Sequence, residues 1–289
     1  MAASIARYRT VSVTSANNAD RLLDPVDRCA AFTVSRLTGP RSCLIWLLPL
    51  AFAASLACAQ GSPPMITDDP GTPARGEWEI NIGVSTSHLS GVHESEAPLL
   101  DINYGLRDNV QLKYEIPWVV LEQEGTRSGL GNSLVGVKWR FVDQGEPGWQ
   151  ISVYPQVEFH NPGSRSAERE LVEPGHALLL PFQLLRTFGS FGLNIEVGRE
   201  WQSKETDAWF AGAVVGHELS DSLEAMVELR ANAAEDLAAS ALALNVGLRW
   251  QAYDCCALLA SIGRDLRNDL DGESATFGYL GIQFLTGGE

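Results

Sequence analysis

Two histidines and two serines give this chain its best arrangement for acid–base or nucleophilic chemistry. His160 and His176 flank a polar segment that contains Ser164 and Ser166. A serine hydrolase needs a nucleophile and a base within hydrogen-bond reach of each other, and a third group that orients the base. The residues around these four resemble no hydrolase motif. We therefore expect no catalytic residues and no enzyme, and keep a hydrolase as the weaker alternative.

The same two histidines, together with Glu173, are the candidate ligands for a metal ion. Histidines in polar loops are commonly solvated, so we expect no metal and no cofactor. Once the N-terminal region is set aside, cysteine chemistry is limited to the adjacent pair Cys255-Cys256. Neighbouring cysteines bridge each other only with strain, and we interpret this pair as residues that flank a turn.

Most other charged residues lie in segments where polar and apolar residues alternate. Residues 109–118 (NVQLKYEIPW) place Val, Leu, Tyr and Ile at every second position, with Gln, Lys and Glu between them. Residues 78–84, 149–158 and 242–250 show the same pattern. Successive side chains of a strand point to opposite faces, whereas a helix would spread these apolar residues around its circumference. The pattern predicts strands with one apolar and one polar face.

The connections between these segments indicate how the strands are arranged. Those after even-numbered segments are short, and most of those after odd-numbered segments are longer and richer in Gly and charge. Outer-membrane barrels have an even number of antiparallel strands, short periplasmic turns and longer outer loops. We predict an all-β fold, a transmembrane antiparallel up-and-down β-barrel of about 12 strands, with 160–175 outside and 143–147 in the periplasm. The predicted strands cover residues 77–88, 97–104, 109–121, 132–142, 148–159, 176–187, 191–202, 208–218, 222–232, 240–251, 255–264 and 275–286.

The polar faces predict what lines the interior of such a barrel. Charges of both signs at mid-strand are typical of a wet lumen that contains ion pairs. Aromatic residues near segment ends, such as Trp78, Trp118 and Trp250, resemble the interfacial girdles of membrane barrels. The alternative is a soluble periplasmic sandwich or lipocalin-like barrel, in which the apolar face would point inward. The predicted lumen-lining residues are Glu79, Asp101, Lys113, Glu115, Lys138, Arg140, Glu158, Glu196, Glu224, Glu228, Arg230 and Arg249.

A short acidic motif, Thr67-Asp68-Asp69, precedes the first predicted strand. It could bind a cation, or fold back and plug the lumen from below. Asp-Pro and Pro-Gly steps form turns, and both follow here. We expect a turn within a Pro-rich segment that lies against the periplasmic mouth of the barrel.

The first 59 residues are predicted to be a presequence that is removed. Arginines precede the uncharged run 43–57, which leads into Ala57-Cys58-Ala59. A positive region, an apolar stretch and a small-x-small site are the marks of a signal peptide. The run is shorter than the roughly 20 residues of a transmembrane helix, and the residues before Cys58 fit a lipoprotein anchor poorly. We predict cleavage after Ala59, a periplasmic N-terminal segment over 60–75 and a barrel over 76–289.

The charge of the remaining chain excludes one class of partner. The first 59 residues hold six Arg and three Asp, which leaves 15 basic and 33 acidic residues and a net charge of −18. Such a surface repels nucleic acid, so we expect none as a partner. The expected partners are outer-membrane lipid, a small-molecule solute, and the barrel-assembly machinery, which would recognise Tyr279-x-Gly281-x-x-Phe284 in the C-terminal strand.

Several further motifs resemble those of a known family. Residues 63–70 (PPMITDDP) followed by 76–79 (GEWE) look like its N-terminal signature, and 103–105 (NYG), 136–141 (GVKWRF) and 180–184 (LPFQL) continue the match. The family comprises outer-membrane β-barrel transporters named after the meta pathway of phenol degradation. The resemblance implies a passive channel in the cell outer membrane for small molecules, aromatic or hydrophobic ones among them, and brings no catalytic residues. The alternative is a structural or surface-exposed barrel without transport activity.

Overall fold

The computed structural model describes residues 63–145 and 148–287. The predicted signal peptide and its cleavage site lie outside these residues. Within them, no helix is long and apolar enough to cross a membrane. The strands are β1 (Trp78–Leu89), β2 (Val92–Arg107), β3 (Val110–Glu122), β4 (Thr126–Leu130), β5 (Ser133–Asp143), β6 (Trp149–Val153), β7 (Gln156–Phe159), β8 (His176–Phe188), β9 (Phe191–Gln202), β10 (Ala208–Ser220), β11 (Leu223–Ala234), β12 (Ser240–Tyr253), β13 (Cys256–Asn268) and β14 (Thr276–Thr286).

Two pairs of these strands are each one barrel strand with an interruption. Both β4 and β5 pair antiparallel with β3, β4 along 118–122 and β5 along 110–115. In the same way, β6 and β7 both lie between β5 and β8. Pro155 separates β6 from β7, and its ring nitrogen has no hydrogen to donate to the ladder. Counted in this way, the described residues form twelve barrel strands.

The sheet closes on itself. Each barrel strand pairs antiparallel with the next one in sequence, and β1 pairs with β14 from Trp78↔Thr286 to His88↔Thr276. Closure leaves no sheet edge exposed, because every strand has a partner on both sides. The predicted fold class, an all-β antiparallel barrel of twelve strands, is confirmed.

Alternation along the strands separates an apolar exterior from an interior rich in polar groups. In β12, the outward side chains of Val246, Leu248 and Trp250 are 46%, 47% and 50% exposed. Their neighbours Asn245 and Arg249 point inward and are buried. A soluble lipocalin-like barrel would place its apolar faces inside, so this arrangement counts against that alternative.

Two of the predicted long loops are wrong. Residues 88–96 and 122–131 are mostly strand, because β1 and β2 continue to a turn at Ser90-Gly91, and β3 and β4 continue to a turn at 123–125. The polar residues of these stretches pair across hairpins. Gly91 (φ 79°) and Gly125 (φ 136°) supply the left-handed backbone that tight turns need. Polarity alone therefore made strand ends look like loops.

The two ends of the barrel differ in their connections. One end carries the short turns and is called the turn end. The opposite end carries the hairpin tips and the longer connections, including 160–175, and is called the loop end. The turns at the turn end are 108–109, 189–190, 221–222, 254–255 and the connection between β5 and β6.

Candidate functional site

The interior of the barrel contains the charged residues that the sequence assigned to a lumen. They point inward because they alternate with outward apolar residues along each strand. Glu79 and Arg140 are half-buried. That these residues line an open passage stays a prediction. The buried ones are Asp101, Lys113, Glu115, Lys138, Glu158, Glu196, Glu224, Glu228, Arg230 and Arg249.

Lys113 is the centre of one interior ion cluster. Its Nζ lies 3.0 Å from Asp101 Oδ1 on β2 and 2.9 Å from Glu115 Oε2 on β3. The amide of Asn81 on β1 donates to Asp101 at 3.2 Å. One ammonium group thus balances two buried carboxylates. Its removal would leave two like charges close together in the interior.

A second cluster runs across neighbouring strands of the wall. Ser152 of β6 donates to Gln183 of β8 at 2.7 Å, and Gln183 donates to Glu196 of β9 at 3.1 Å. Glu196 also accepts from Arg230 of β11 at 2.6 Å. The Arg230 guanidinium lies 4.7 Å from the ring centroid of Phe210 on β10. Charge-assisted bonds of this kind fix where the interior charges lie.

Two of the predicted lumen residues lie outside the central ion clusters. Arg140 lies near the turn end, where its Nε is 3.3 Å from Asp143 and its Nη2 donates to the carbonyl of Asp108 at 2.9 Å. Glu79 accepts a hydrogen bond from Asn81 at 3.1 Å instead of pairing with a base. Both residues therefore belong to the rim of the interior rather than to its central ion pairs.

Residues 63–70 lie inside the barrel and residues 71–75 lead from them to β1, and we call the whole stretch 63–75 the inner segment. Met65 and Thr67 are 0% exposed, and Met65 packs with Val214 and Met226 of the wall. The expectation that this stretch lies against the mouth of the barrel is therefore wrong for residues 63–70, while Thr72 and Arg75 do lie at one end of the barrel, where they bind Asp108. Of the alternatives considered for its acidic motif, the one the structure shows is a chain segment folded back into the interior.

The Glu228 carboxylate binds two consecutive backbone N–H groups of the inner segment. Its Oε2 accepts from Ile66 at 3.1 Å and its Oε1 accepts from Thr67 at 2.6 Å. The amide of Asn245 donates to Glu228 Oε2 at 2.9 Å and orients the carboxylate. Hydrogen bonds to an ionised acceptor are stronger than neutral ones, so Glu228 is a main attachment point of this segment.

Two side chains near the β12–β13 wall bind the start of the inner segment. Arg249 donates to the carbonyl of Pro63 at 3.1 Å, and Ser261 donates to the carbonyl of Pro64 at 2.9 Å. Proline residues have no N–H of their own, so their carbonyl oxygens are the groups that the wall can bind here.

The acidic part of the inner segment is held by β9 and by β5, and β5 lies opposite β12 in the closed sheet. Asn194 of β9 donates to the carbonyl of Asp68 at 2.9 Å. Lys138 of β5 lies 3.1 Å from the Asp68 carboxylate and donates to the carbonyl of Asp69 at 2.6 Å. Burial raises the pKa of the Asp69 carboxyl, and the nearby Lys138 ammonium opposes that rise.

Two inward glycines make room for the inner segment. A Cβ at Gly212 would lie 1.8 Å from Thr67 Oγ1 and 2.9 Å from Thr67 Cβ, and one at Gly247 would lie 2.0 Å from Met65 Cε. Glycine inside a strand often marks the close approach of another backbone. Inward glycines in mid-strand signal a close approach from inside but do not name the group that approaches, since Gly198 and Gly263 make room for the rings of Phe210 and Phe277 instead.

The histidines and serines of the 160–175 connection do not form a catalytic arrangement. His160 Nε2 lies 2.9 Å from the backbone carbonyl of Ser164, and the Ser164 hydroxyl donates to Ser166. The backbone N–H of His176 donates to Ser203. Among the described residues, no group of three or more His, Cys, Asp or Glu is arranged to hold a metal ion. Loop polarity accounts for these side chains.

Comparison with known proteins bears on the fold. No protein-family model matches the sequence, and no curated protein matches it. The chain is similar in structure to an outer membrane channel from Pseudomonas putida F1, whose crystal structure superimposes with a TM-score of 0.60. The two sequences are 14% identical, and the match covers 75% of this chain and 98% of that chain. The fold is shared with outer-membrane channels and porins.

Two porins extend this comparison. The NanC porin is 10% identical with a TM-score of 0.53, and the KdgM porin in complex with oligogalacturonate is 12% identical with a TM-score of 0.51. Each covers 71% of this chain and 98% of its own. At this level of identity the likeness shows the fold alone. Membership of the phenol meta-pathway family stays a prediction.

Proposed function

We propose that this chain is a channel of the bacterial outer membrane through which small molecules pass passively. The observation that carries the proposal is the closed twelve-strand barrel with an apolar exterior and a charged interior. Apolar outward residues suit contact with lipid, and charged inward residues suit a wet lumen. The shared fold with outer-membrane channels and porins supports the same location for this chain.

The sign of the interior charge supports a preference among solutes. Rings of Asp and Glu favour cations, whereas Arg and Lys favour anions. Buried acids in the described residues outnumber the buried bases Lys113, Lys138, Arg230 and Arg249. We therefore propose that the channel favours cationic and neutral solutes over anions. The buried acids are Asp69, Glu96, Asp101, Glu115, Glu158, Glu196, Glu200, Glu224, Glu228 and Asp265.

Apolar side chains that face inward support small hydrophobic or aromatic solutes within that class. Leu134 of β5 and Ala177 and Leu179 of β8 form one buried cluster on the inner face of the wall. Apolar surface in a passage otherwise lined by charges gives a hydrophobic solute somewhere to bind. The resemblance to the phenol meta-pathway family points to the same solute class.

One observation favours the alternative of a structural barrel without transport. The inner segment crosses the interior and is bound on several sides. A barrel closed in this way would hold its shape in the membrane and pass nothing.

Ion conductance of the full processed chain in a planar lipid bilayer tests the proposal. We expect discrete conductance steps and, under a KCl gradient, a reversal potential that reports cation preference. We expect a small cationic aromatic solute to enter liposomes that contain the protein faster than protein-free liposomes, and an anionic oligosaccharide such as oligogalacturonate to be excluded from both. A correctly folded protein that never conducts would support the structural alternative instead.

A further inference from the structure

The inner segment runs from one side of the barrel interior to the other. It starts at Arg249 of β12 and Ser261 of β13 and reaches Lys138 of β5. Around the closed sheet, β13 and β5 are separated by β14, β1, β2 and β3 in one direction and by the other strands in the opposite one. These walls therefore face each other nearly across the lumen, and the segment between them obstructs the bore.

The inner segment then leaves the interior at the turn end. The Thr72 hydroxyl donates to the carbonyl of Asp108 at 2.9 Å, and the Arg75 N–H donates to the Asp108 carboxylate at 3.2 Å. Asp108 lies in the turn between β2 and β3, and the chain enters β1 soon afterwards. The segment is thus joined covalently to the wall on the β1 side, while its bonds to the rest of the lumen are noncovalent.

The groups that hold the segment are side chains of the wall rather than a backbone ladder. Glu228 binds two N–H groups, whereas Lys138, Asn194, Arg249 and Ser261 each bind a carbonyl. No residue of the inner segment belongs to a strand. Movement of the segment has to break these bonds and the packing of Met65 against Val214 and Met226, but it breaks no strand pairing, so the wall can stay intact while the segment moves.

We propose that the inner segment is a gate of the channel, held shut by the Glu228 carboxylate. This inference rests on the proposed channel function. When the bonds from Ile66 and Thr67 to Glu228 break, the segment swings toward the β1 side and the lumen opens. The polar wall groups that it leaves, Glu228 and Lys138 among them, then line the passage and bind solute or water in its place.

Two substitutions should release the gate by different physical means. Glu228→Gln removes the ionised acceptor of two backbone N–H groups while its size stays nearly the same. Gly212→Ala puts a methyl group 1.8 Å from Thr67 Oγ1, so the segment and the wall cannot both keep their places. Asp101→Asn is the matched control, because it removes one interior carboxylate whose partners, Lys113, Asn81 and Asn103, all lie on the wall.

Release of the segment can be measured without reference to transport. In a background with Cys255→Ser and Cys256→Ser, the variant Met65→Cys places a single cysteine at a fully buried position of the inner segment and leaves Thr67 intact, and its rate of reaction with a water-soluble maleimide reports exposure of the segment. Because bonds to a charged acceptor contribute more than neutral ones, we expect Glu228→Gln to raise the labelling rate at least about tenfold. Gly212→Ala should do the same, and Asp101→Asn should leave the rate unchanged. Heat-modifiable migration on gels confirms that each variant folds.

Conductance of the same variants then tests the gate proposal separately from the channel proposal. We expect the time spent in the open state to rise with the labelling rate. A labelling rate that stays at the wild-type value in both releasing variants would overturn the gate while leaving the channel proposal standing. Fast labelling with no conductance in any folded variant would overturn the channel proposal and the gate with it.

Discussion

Leu112 and Lys113 are neighbours on β3 that face opposite sides of the barrel wall. Leu112 points outward and is 38% exposed, whereas Lys113 points inward and is 9% exposed. Arginine placed at either position adds the same side chain at nearly the same depth. If the outside faces lipid, Leu112→Arg should destabilise the protein, because the charge must leave water. Lys113→Arg keeps a positive charge between Asp101 and Glu115 and should cost little.

The size of the effect follows from the position along the strand. Leu112 is two residues from the start of β3 at Val110, which places it about 7 Å along the strand from the turn end. Arginine on the lipid face costs about 2–4 kcal/mol at the membrane centre and less near the interface, so we expect about 1–2 kcal/mol for Leu112→Arg. Val246, seven residues from the end of β12 at Tyr253, lies deeper, and Val246→Arg should cost about 2–4 kcal/mol.

Unfolding by denaturant in lipid vesicles measures these differences, with the folded fraction read from heat-modifiable migration on cold gels. The expected order of destabilisation is Val246→Arg, then Leu112→Arg, then Lys113→Arg. A difference of about 1.4 kcal/mol changes the folding equilibrium tenfold and is resolved by this assay. If Leu112→Arg folds as well as the wild type while Lys113→Arg does not, the assignment of the two faces is wrong. The soluble-barrel alternative, in which the apolar face points inward, is then favoured.

Three other predictions concern processing, sidedness and the interior. N-terminal sequencing of the purified protein should begin at Gln60, and an intact presequence would contradict the signal-peptide assignment. An epitope tag at Arg165, whose side chain is 80% exposed, should be labelled on intact cells, whereas one at Gly145 should not; the reverse would invert the topology. The inward facing of Lys113 alone predicts that Lys113→Gln folds normally and alters the conductance. The ion cluster adds a cost, because Asp101 and Glu115 lose the cation that both contact, and we expect the folded variant to be less stable by about 3–5 kcal/mol. Unchanged stability would show that water reaches this cluster.

The sequence by itself determined the fold class, the number of barrel strands and the face of each strand. Side chains of a strand alternate between its two faces, so a local pattern such as that of 109–118 predicts which residues share a face. This prediction does not require knowing which strands pair with it. Closure was predicted from the alternation of short and longer connections, which is typical of outer-membrane barrels. Loop lengths could not be read in the same way, since the polar hairpin ends around Gly91 and Gly125 have the composition of loops.

Only the tertiary structure decided what fills the interior. The bonds from Ile66 and Thr67 to Glu228 join residues more than 160 positions apart, and no local pattern reports such a contact. The same holds for Lys138 and the acidic motif of the inner segment. Alternation along a strand predicts that a side chain faces inward. The partner of that side chain depends on which strands lie opposite each other in the closed barrel, and on which chain segment enters the space between them.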